Sequence, residues 1–178
     1  MGSVTDTEIR EFLQRLGERY SKSARLYLLG GGALRFLGSS RRTVDIDFKL
    51  ETVGSQREDL IEVMESLANE LKLEVEIVPI EEFVPLPEGV QSRHQRVEQF
   101  GTVEVYIYDP YSIALSKVSR GFEADLQDVV FMLEENIIDL EQLDQYVAAA
   151  LPVAWEYDID PADLKLYLEE VRRLYNDS

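Results

Sequence analysis

Leu26-Tyr27-Leu28-Leu29-Gly30-Gly31-Gly32-Ala33-Leu34, followed shortly by Arg41-Arg42-Thr43-Val44-Asp45-Ile46-Asp47-Phe48, organises this chain. A short apolar run enters three consecutive glycines. Ala33-Leu34-Arg35-Phe36-Leu37 then leads to Gly38. The pattern predicts a buried strand, a tight turn and a short helix. Further on, Val44, Ile46 and Phe48 alternate with Asp45, Asp47 and Lys49. That alternation predicts a strand with one apolar and one charged face.

Each half of this stretch admits two readings. Without Cβ atoms, the glycine turn lets the backbone approach a phosphate and aim N–H groups at it. A glycine turn also serves plain tight packing. Asp45 and Asp47 lie two residues apart on a strand and therefore share a face. Two adjacent carboxylates repel unless a cation lies between them, and oxygen-only ligands suit Mg²⁺ or Mn²⁺. The same pair also fits a solvated strand face partnered by Lys49.

Working outward, Thr5-Asp6-Thr7-Glu8 has the form of a capping box. Ile9, Phe12, Leu13 and Leu16 follow at helical spacing, so a helix is expected over about 6–20. Residues 55–71 repeat apolar positions at the same period. Leu73-Glu74-Val75-Glu76-Ile77-Val78 reads as a strand closed by Pro79. With Leu73, Val75 and Ile77 toward the core, Glu74 and Glu76 share the other face. Either offers a third carboxylate; Glu76 is preferred and Glu74 is the alternative. Residues 84–101 carry Pro85, Pro87 and Gly89 and read as a long loop. Val103–Ile107 reads as a fourth strand. Asp109-Pro110 and Asp160-Pro161 each look like an N-cap followed by proline at the first helical position. Helices are expected near 122–135, 139–150 and 161–175. The expected class is α+β: a small mixed sheet flanked by helices, with a helical C-terminal segment. The expected domains are a core over residues 1–121 and a helical segment over 122–178 packed on it.

The 178 residues carry 18 Lys plus Arg against 35 Asp plus Glu, a net charge of −17. The excess is uneven. Residues 1–50 balance at +3, residues 51–122 at −8 and residues 123–178 at −12. Broad coating of nucleic acid is therefore disfavoured, and an acidic surface suits anionic membranes poorly. The mildly basic first segment leaves room for one bound anion. With no cysteine, thiolate metal sites, disulfides and a cysteine nucleophile are excluded. A single histidine, His94, excludes multi-histidine metal sites. The N-terminal residues do not read as a signal peptide, and no run approaches a membrane span, so a cytoplasmic location is expected.

The combination of Gly30-Gly31-x-Ala33-Leu34 with Arg41-x-Thr43-x-Asp45-Ile46-Asp47 and an apolar-flanked carboxylate resembles the nucleotidyltransferase superfold of DNA polymerase β type. Thirteen residues separate Gly31 from Asp45, which suits that arrangement. The string is similar to minimal bacterial and archaeal nucleotidyltransferases, among them AbiEii-like and MenT-like toxins. Ser116-Lys117-x-x-Arg120, with Asp125 and Asp128 beyond it, is similar to the lysine-bearing helix of those proteins. The resemblance covers residues 25–130. Two features depart from it: a Glu in place of the commoner third Asp, and the long loop at 84–101.

The resemblance implies transfer of a nucleoside monophosphate from an NTP to an RNA (tRNA) or protein hydroxyl, with Mg²⁺ as cofactor and Mn²⁺ as its substitute. Asp45, Asp47 and Glu76 would be the catalytic and metal-binding residues. Gly30, Gly31, Arg41, Thr43 and Lys117 would bind the nucleotide, with Arg41 and Thr43 either touching phosphate or bracing the turn. It also implies a toxin–antitoxin setting, with an antitoxin as partner. The alternative is an inactive nucleotide-binding or protein-interaction module on the same fold. Asp125 and Asp128 are expected to pair with Lys117 or Arg120, or else to face solvent. Arg93, His94 and Arg96 are expected in a loop that is either solvated or, with Arg41 and Arg42, a basic surface for phosphate or an acceptor, and Trp155 and Tyr157 at a helix junction.

Overall fold

A computed structural model describes residues 2–178. In chain order the elements begin α1 (Asp6–Arg19), β1 (Ala24–Leu29), α2 (Gly30–Phe36), β2 (Asp45–Glu51), α3 (Gln56–Leu71) and β3 (Glu74–Ile77). There follow α4 (Ile80–Phe83), a single 3-10 turn (Val90–Ser92), β4 (Gln95–Phe100) and β5 (Val103–Ile107). The chain continues with α5 (Pro110–Arg120), α6 (Glu123–Glu134), α7 (Leu140–Ala150), a 3-10 segment (Leu151–Tyr157) and α8 (Pro161–Asp177). The architecture is the mixed α+β arrangement that the sequence predicts.

The five strands form one mixed sheet in the order β3-β2-β1-β5-β4. β1 runs antiparallel to β2 and parallel to β5. β2 and β3 are parallel, whereas β4 and β5 are antiparallel. By chain contacts the molecule divides into two compact units. The first holds residues up to Val78 together with Gln95–Tyr108; the second holds Pro79–His94 with Asp109–Ser178. The expected domain boundary at 121/122 falls between α5 and α6, both inside the second unit.

In the first unit, Thr5 caps α1. Its Oγ1 accepts from the Glu8 N–H at 3.2 Å, and the Glu8 carboxylate accepts from the Thr5 N–H at 2.8 Å. These bonds hold the Glu8 carboxyl below the usual carboxylate range. Ile9, Phe12, Leu13 and Leu16 are buried, and Phe12 stacks on Phe48 of β2 with ring centroids 5.9 Å apart. One sheet face is thus apolar, built on Leu26, Leu28, Ile46, Phe48, Val103 and Val105.

On the opposite face of the same strands stand Tyr27, Asp45, Asp47, Lys49, Glu51 and Glu104. Tyr27 Oη donates to Glu51 at 2.6 Å. Burial and this carboxylate push the Tyr27 hydroxyl well above the ordinary tyrosine range.

The second unit is helical. Asp109 is fully buried at the start of α5 and accepts from the Tyr111 and Ser112 N–H groups, each at 3.1 Å. The Arg93 guanidinium meets the same carboxylate through two nitrogens, at 2.7 and 2.9 Å, and lies over the Tyr111 and Tyr146 rings. Asp109 holds the Arg93 guanidinium above its ordinary range. His94 Nδ1 accepts from the Asp109 N–H at 3.0 Å, which assigns the neutral imidazole with its proton on Nε2. Arg93 and His94 are therefore half-buried and engaged, where a solvated loop was expected.

A second correction concerns residues 95–100. They form strand β4, not the end of a long loop. β4 pairs on one side only, is largely exposed and carries an irregularity between Arg96 and Glu98. An edge strand with a bulge need not alternate apolar and polar residues, so Gln95-Arg96-Val97-Glu98-Gln99 carries little strand signal.

Candidate active site

Strand β2 carries Asp45 and Asp47 on the polar face of the sheet, and β3 lies beside it in parallel register. Asp45 stands opposite Glu74 and Asp47 opposite Glu76. Asp45, Asp47 and Glu76 each bring one oxygen to within 4.8 Å of the others. Asp45 and Asp47 are half-buried; Glu76 is exposed. Glu76, not Glu74, completes this group. The half-buried Val75 and Ile77 set the orientation of the strand, so Glu76 emerges on the carboxylate side.

Three carboxylates at this spacing repel one another. Each pair costs about 1 kcal/mol in water-like surroundings and about 3 kcal/mol at the screening typical of a protein surface. A divalent cation removes that cost. All donors are oxygen and all are carboxylate, which fits Mg²⁺ or Mn²⁺.

The three glycines are not equivalent. Gly30 sits at φ +55°, in the left-handed region, and a Cβ there would run into Asp47 Oδ2. At Gly31 a Cβ would lie 2.6 Å from Thr43 Oγ1 and 2.7 Å from Thr43 Cβ. Gly32 is buried, yet a Cβ would meet nothing nearer than 3.7 Å. The glycines also lie inside α2, which starts at Gly30, rather than in a separate turn before it. Leu29 precedes that helix without a side-chain cap.

Thr43 is buried. Its carbonyl accepts from the Val4 N–H at 2.7 Å. Its hydroxyl donates toward the Asp45 carbonyl at 3.1 Å and lies 3.4 Å from Asp45 Oδ1. Arg41 is exposed at its side chain and tied at its backbone. Its N–H donates to Ser39 Oγ at 3.2 Å, and its carbonyl accepts from Arg35 at 3.3 Å. Arg35, which was not among the expected site residues, also binds Asp6 at 2.8 Å. Its charge within an otherwise apolar short helix is the only hint in the sequence.

Lys117 belongs to the second unit and is 4% exposed. Its ammonium donates to Asp128 at 2.7 Å and to Asp125 at 3.4 Å. Arg120 meets Asp125 through two nitrogens, at 3.0 and 2.6 Å. The anticipated pairing of these two cations with the two aspartates is present. The first unit thus brings together Asp45, Asp47, Glu76, Gly30, Gly31 and Thr43.

Among the described residues no helix is long and apolar enough to cross a membrane. No functionally curated protein matches the chain. It is similar in fold to an antigenic nucleotidyltransferase-like protein of known crystal structure from Paracoccidioides brasiliensis. That likeness has a TM-score of 0.51 at 15% identity and covers 92% of this chain and 95% of the other. The family model of nucleotidyltransferases of unknown function (DUF6036) matches residues 5–174. By that match over nearly its whole length, the chain belongs to this nucleotidyltransferase family.

Proposed function

We propose that the protein is a Mg²⁺-dependent enzyme that transfers a nucleoside monophosphate from an NTP to a hydroxyl of an RNA, such as a tRNA, or of a protein. The observation that carries this reading is the convergence of Asp45, Asp47 and Glu76 beside the glycine start of α2, where a Cβ at Gly30 would run into the Asp47 carboxylate. Asp45 and Asp47 hold the cation, and Glu76 completes the donor set. A divalent cation held there supplies Lewis-acid stabilisation of phosphoryl charge and lowers the pKa of a nearby hydroxyl. The acceptor oxygen forms a bond to the α-phosphorus while the bond to the bridging oxygen of the pyrophosphate breaks. Asp47 or Glu76 takes the acceptor's proton. The backbone of Gly30 and Gly31, with Arg41 alongside, contacts the triphosphate, where fixed N–H groups and a cation stabilise charge.

Lys117 has a different setting. Moving its ammonium to a phosphate would draw it away from two buried carboxylates, and breaking such a pair costs about 3–5 kcal/mol. The likeness of the motif string to toxin-type nucleotidyltransferases adds a toxin–antitoxin role to the proposal, with an antitoxin as protein partner and an acceptor in the cytoplasm.

The test is incubation with each α-³²P-labelled NTP, Mg²⁺ and total RNA or protein extract, beside the Asp45→Ala/Asp47→Ala protein. The expected result is label on one acceptor class with the wild type alone. Intact nucleotide binding without transfer would replace the enzyme with a binding module. Equal labelling by the double variant would remove Asp45 and Asp47 from the chemistry.

A further inference from the structure

We infer that Thr43 is a positioning residue that sets where the Asp45 carboxylate stands; this rests on the metal site proposed above. Thr43 lies between exposed neighbours, Arg42 and Val44, yet is itself only 8% exposed. Three contacts fix it. Its carbonyl is tied to Val4, the residue just before the α1 cap, at 2.7 Å. Its Cβ and Oγ1 abut Gly31, leaving no room for a side chain there. Its hydroxyl is shared between the Asp45 carbonyl at 3.1 Å and the Asp45 carboxylate at 3.4 Å.

A β-branched side chain has few χ1 choices, and the close approach of Gly31 on one side with the hydroxyl's bonds to Asp45 on the other favours the one seen. A hydroxyl has a single proton. That proton serves Asp45 in either position, so the side chain holds both the start of β2 and the direction of its first carboxylate. Partners of metal ligands act in this way: they orient a donor they do not replace. Gly31 leaves the space that Thr43 needs. Gly32, one residue on, gives no such space to any site residue, since only Ile46, Leu28 and Ile9 lie near its would-be Cβ.

The experiment titrates the full chain with Mn²⁺ alone, following loss of the free-ion paramagnetic resonance signal, with thermal unfolding recorded for each variant. Thr43→Val keeps the branching and removes the hydroxyl. Thr43→Ser keeps the hydroxyl. Thr43→Val is expected to weaken Mn²⁺ binding about tenfold at an essentially unchanged unfolding midpoint, and Thr43→Ser to stay within about twofold of wild type. Gly31→Ala should weaken binding as Thr43→Val does, and Gly32→Ala should not. If Thr43→Val loses its cooperative unfolding transition, Thr43→Ser and Gly31→Ala decide: the expected pair of results supports the inference and any other pair overturns it. Wild-type affinity in Thr43→Val, or equal weakening in Thr43→Ser, overturns the positioning role while leaving the metal site intact. Absence of Mn²⁺ binding by the wild type overturns the metal site itself, and the inference with it.

Discussion

Gly30, Gly31 and Gly32 are adjacent in the chain and differ in what a side chain would meet there. Only the first two face residues of the candidate site. Gly30→Ala combines a strained left-handed backbone with displacement of the Asp47 carboxylate, so transfer should fall at least tenfold, a loss of about 1.4 kcal/mol or more of transition-state stabilisation. Gly32→Ala should raise stability by up to about 1 kcal/mol, because alanine favours a helix over glycine; urea unfolding measures this. Tyr27 makes a separate prediction. Its folded-state pKa is raised above the ordinary 10.0. Above that pH the unfolded chain loses the Tyr27 proton while the folded chain keeps it, so stability falls as pH rises toward the folded value. Tyr27→Phe lacks that loss. Above about pH 10 its stability should therefore decline less steeply, by up to about 1.4 kcal/mol per pH unit. Urea midpoints from pH 9 upward check the slope; parallel curves would contradict the shift. Asp45 and Asp47 were legible in the sequence because strand alternation puts them on one face. The contact between Gly31 and Thr43 was not, because it joins two segments that only the fold brings together.

Among the elements, those with strong local signals were legible. The Thr5–Glu8 capping box, the Asp109-Pro110 and Asp160-Pro161 starts and the apolar stripe of α1 all form as their spacing requires. Thr5→Ala should cost about 1 kcal/mol, read by urea denaturation, since it removes one half of a reciprocal cap. Strand β4 was not legible. It lies at a sheet edge and its order comes from pairing with β5, a tertiary cause with little local imprint. The pairing of Arg93 leaves no local signal for a related reason: its partner Asp109 is on the far side of a two-strand excursion. In α5 and α6 the Lys117–Asp125–Asp128 cluster predicts a stability effect. Lys117→Ala should lower unfolding free energy by about 3–5 kcal/mol, as expected when one partner of a buried ion pair is lost. A near-unchanged stability with weakened NTP binding would instead give Lys117 the phosphate role that the family resemblance implies.

At the scale of the whole molecule, the chain enters and leaves the sheet-bearing unit more than once, so no single cut separates the two units. A fragment ending at residue 121 would keep α5 without α6 and α8, the helices it packs on. Part of its buried apolar surface, which includes Ile113, Leu115 and Val118, would lose its cover, so this fragment should aggregate or lose helicity by circular dichroism relative to the full chain. That division was not legible because periodicity reports local faces, not which segments share a core. The charge was legible: −12 of the −17 lies after residue 122, while the first fifty residues, which hold Asp45, Asp47 and the glycines, are at +3. The acidic total therefore weighs against broad nucleic-acid coating and not against one triphosphate. The claim that this triphosphate is cut between its α- and β-phosphates is tested most directly by label position. NTP labelled at the α-phosphate should pass its label to the acceptor in the presence of Mg²⁺, while label at the γ-phosphate should leave as pyrophosphate. Transfer of the γ-label to the acceptor would contradict the account.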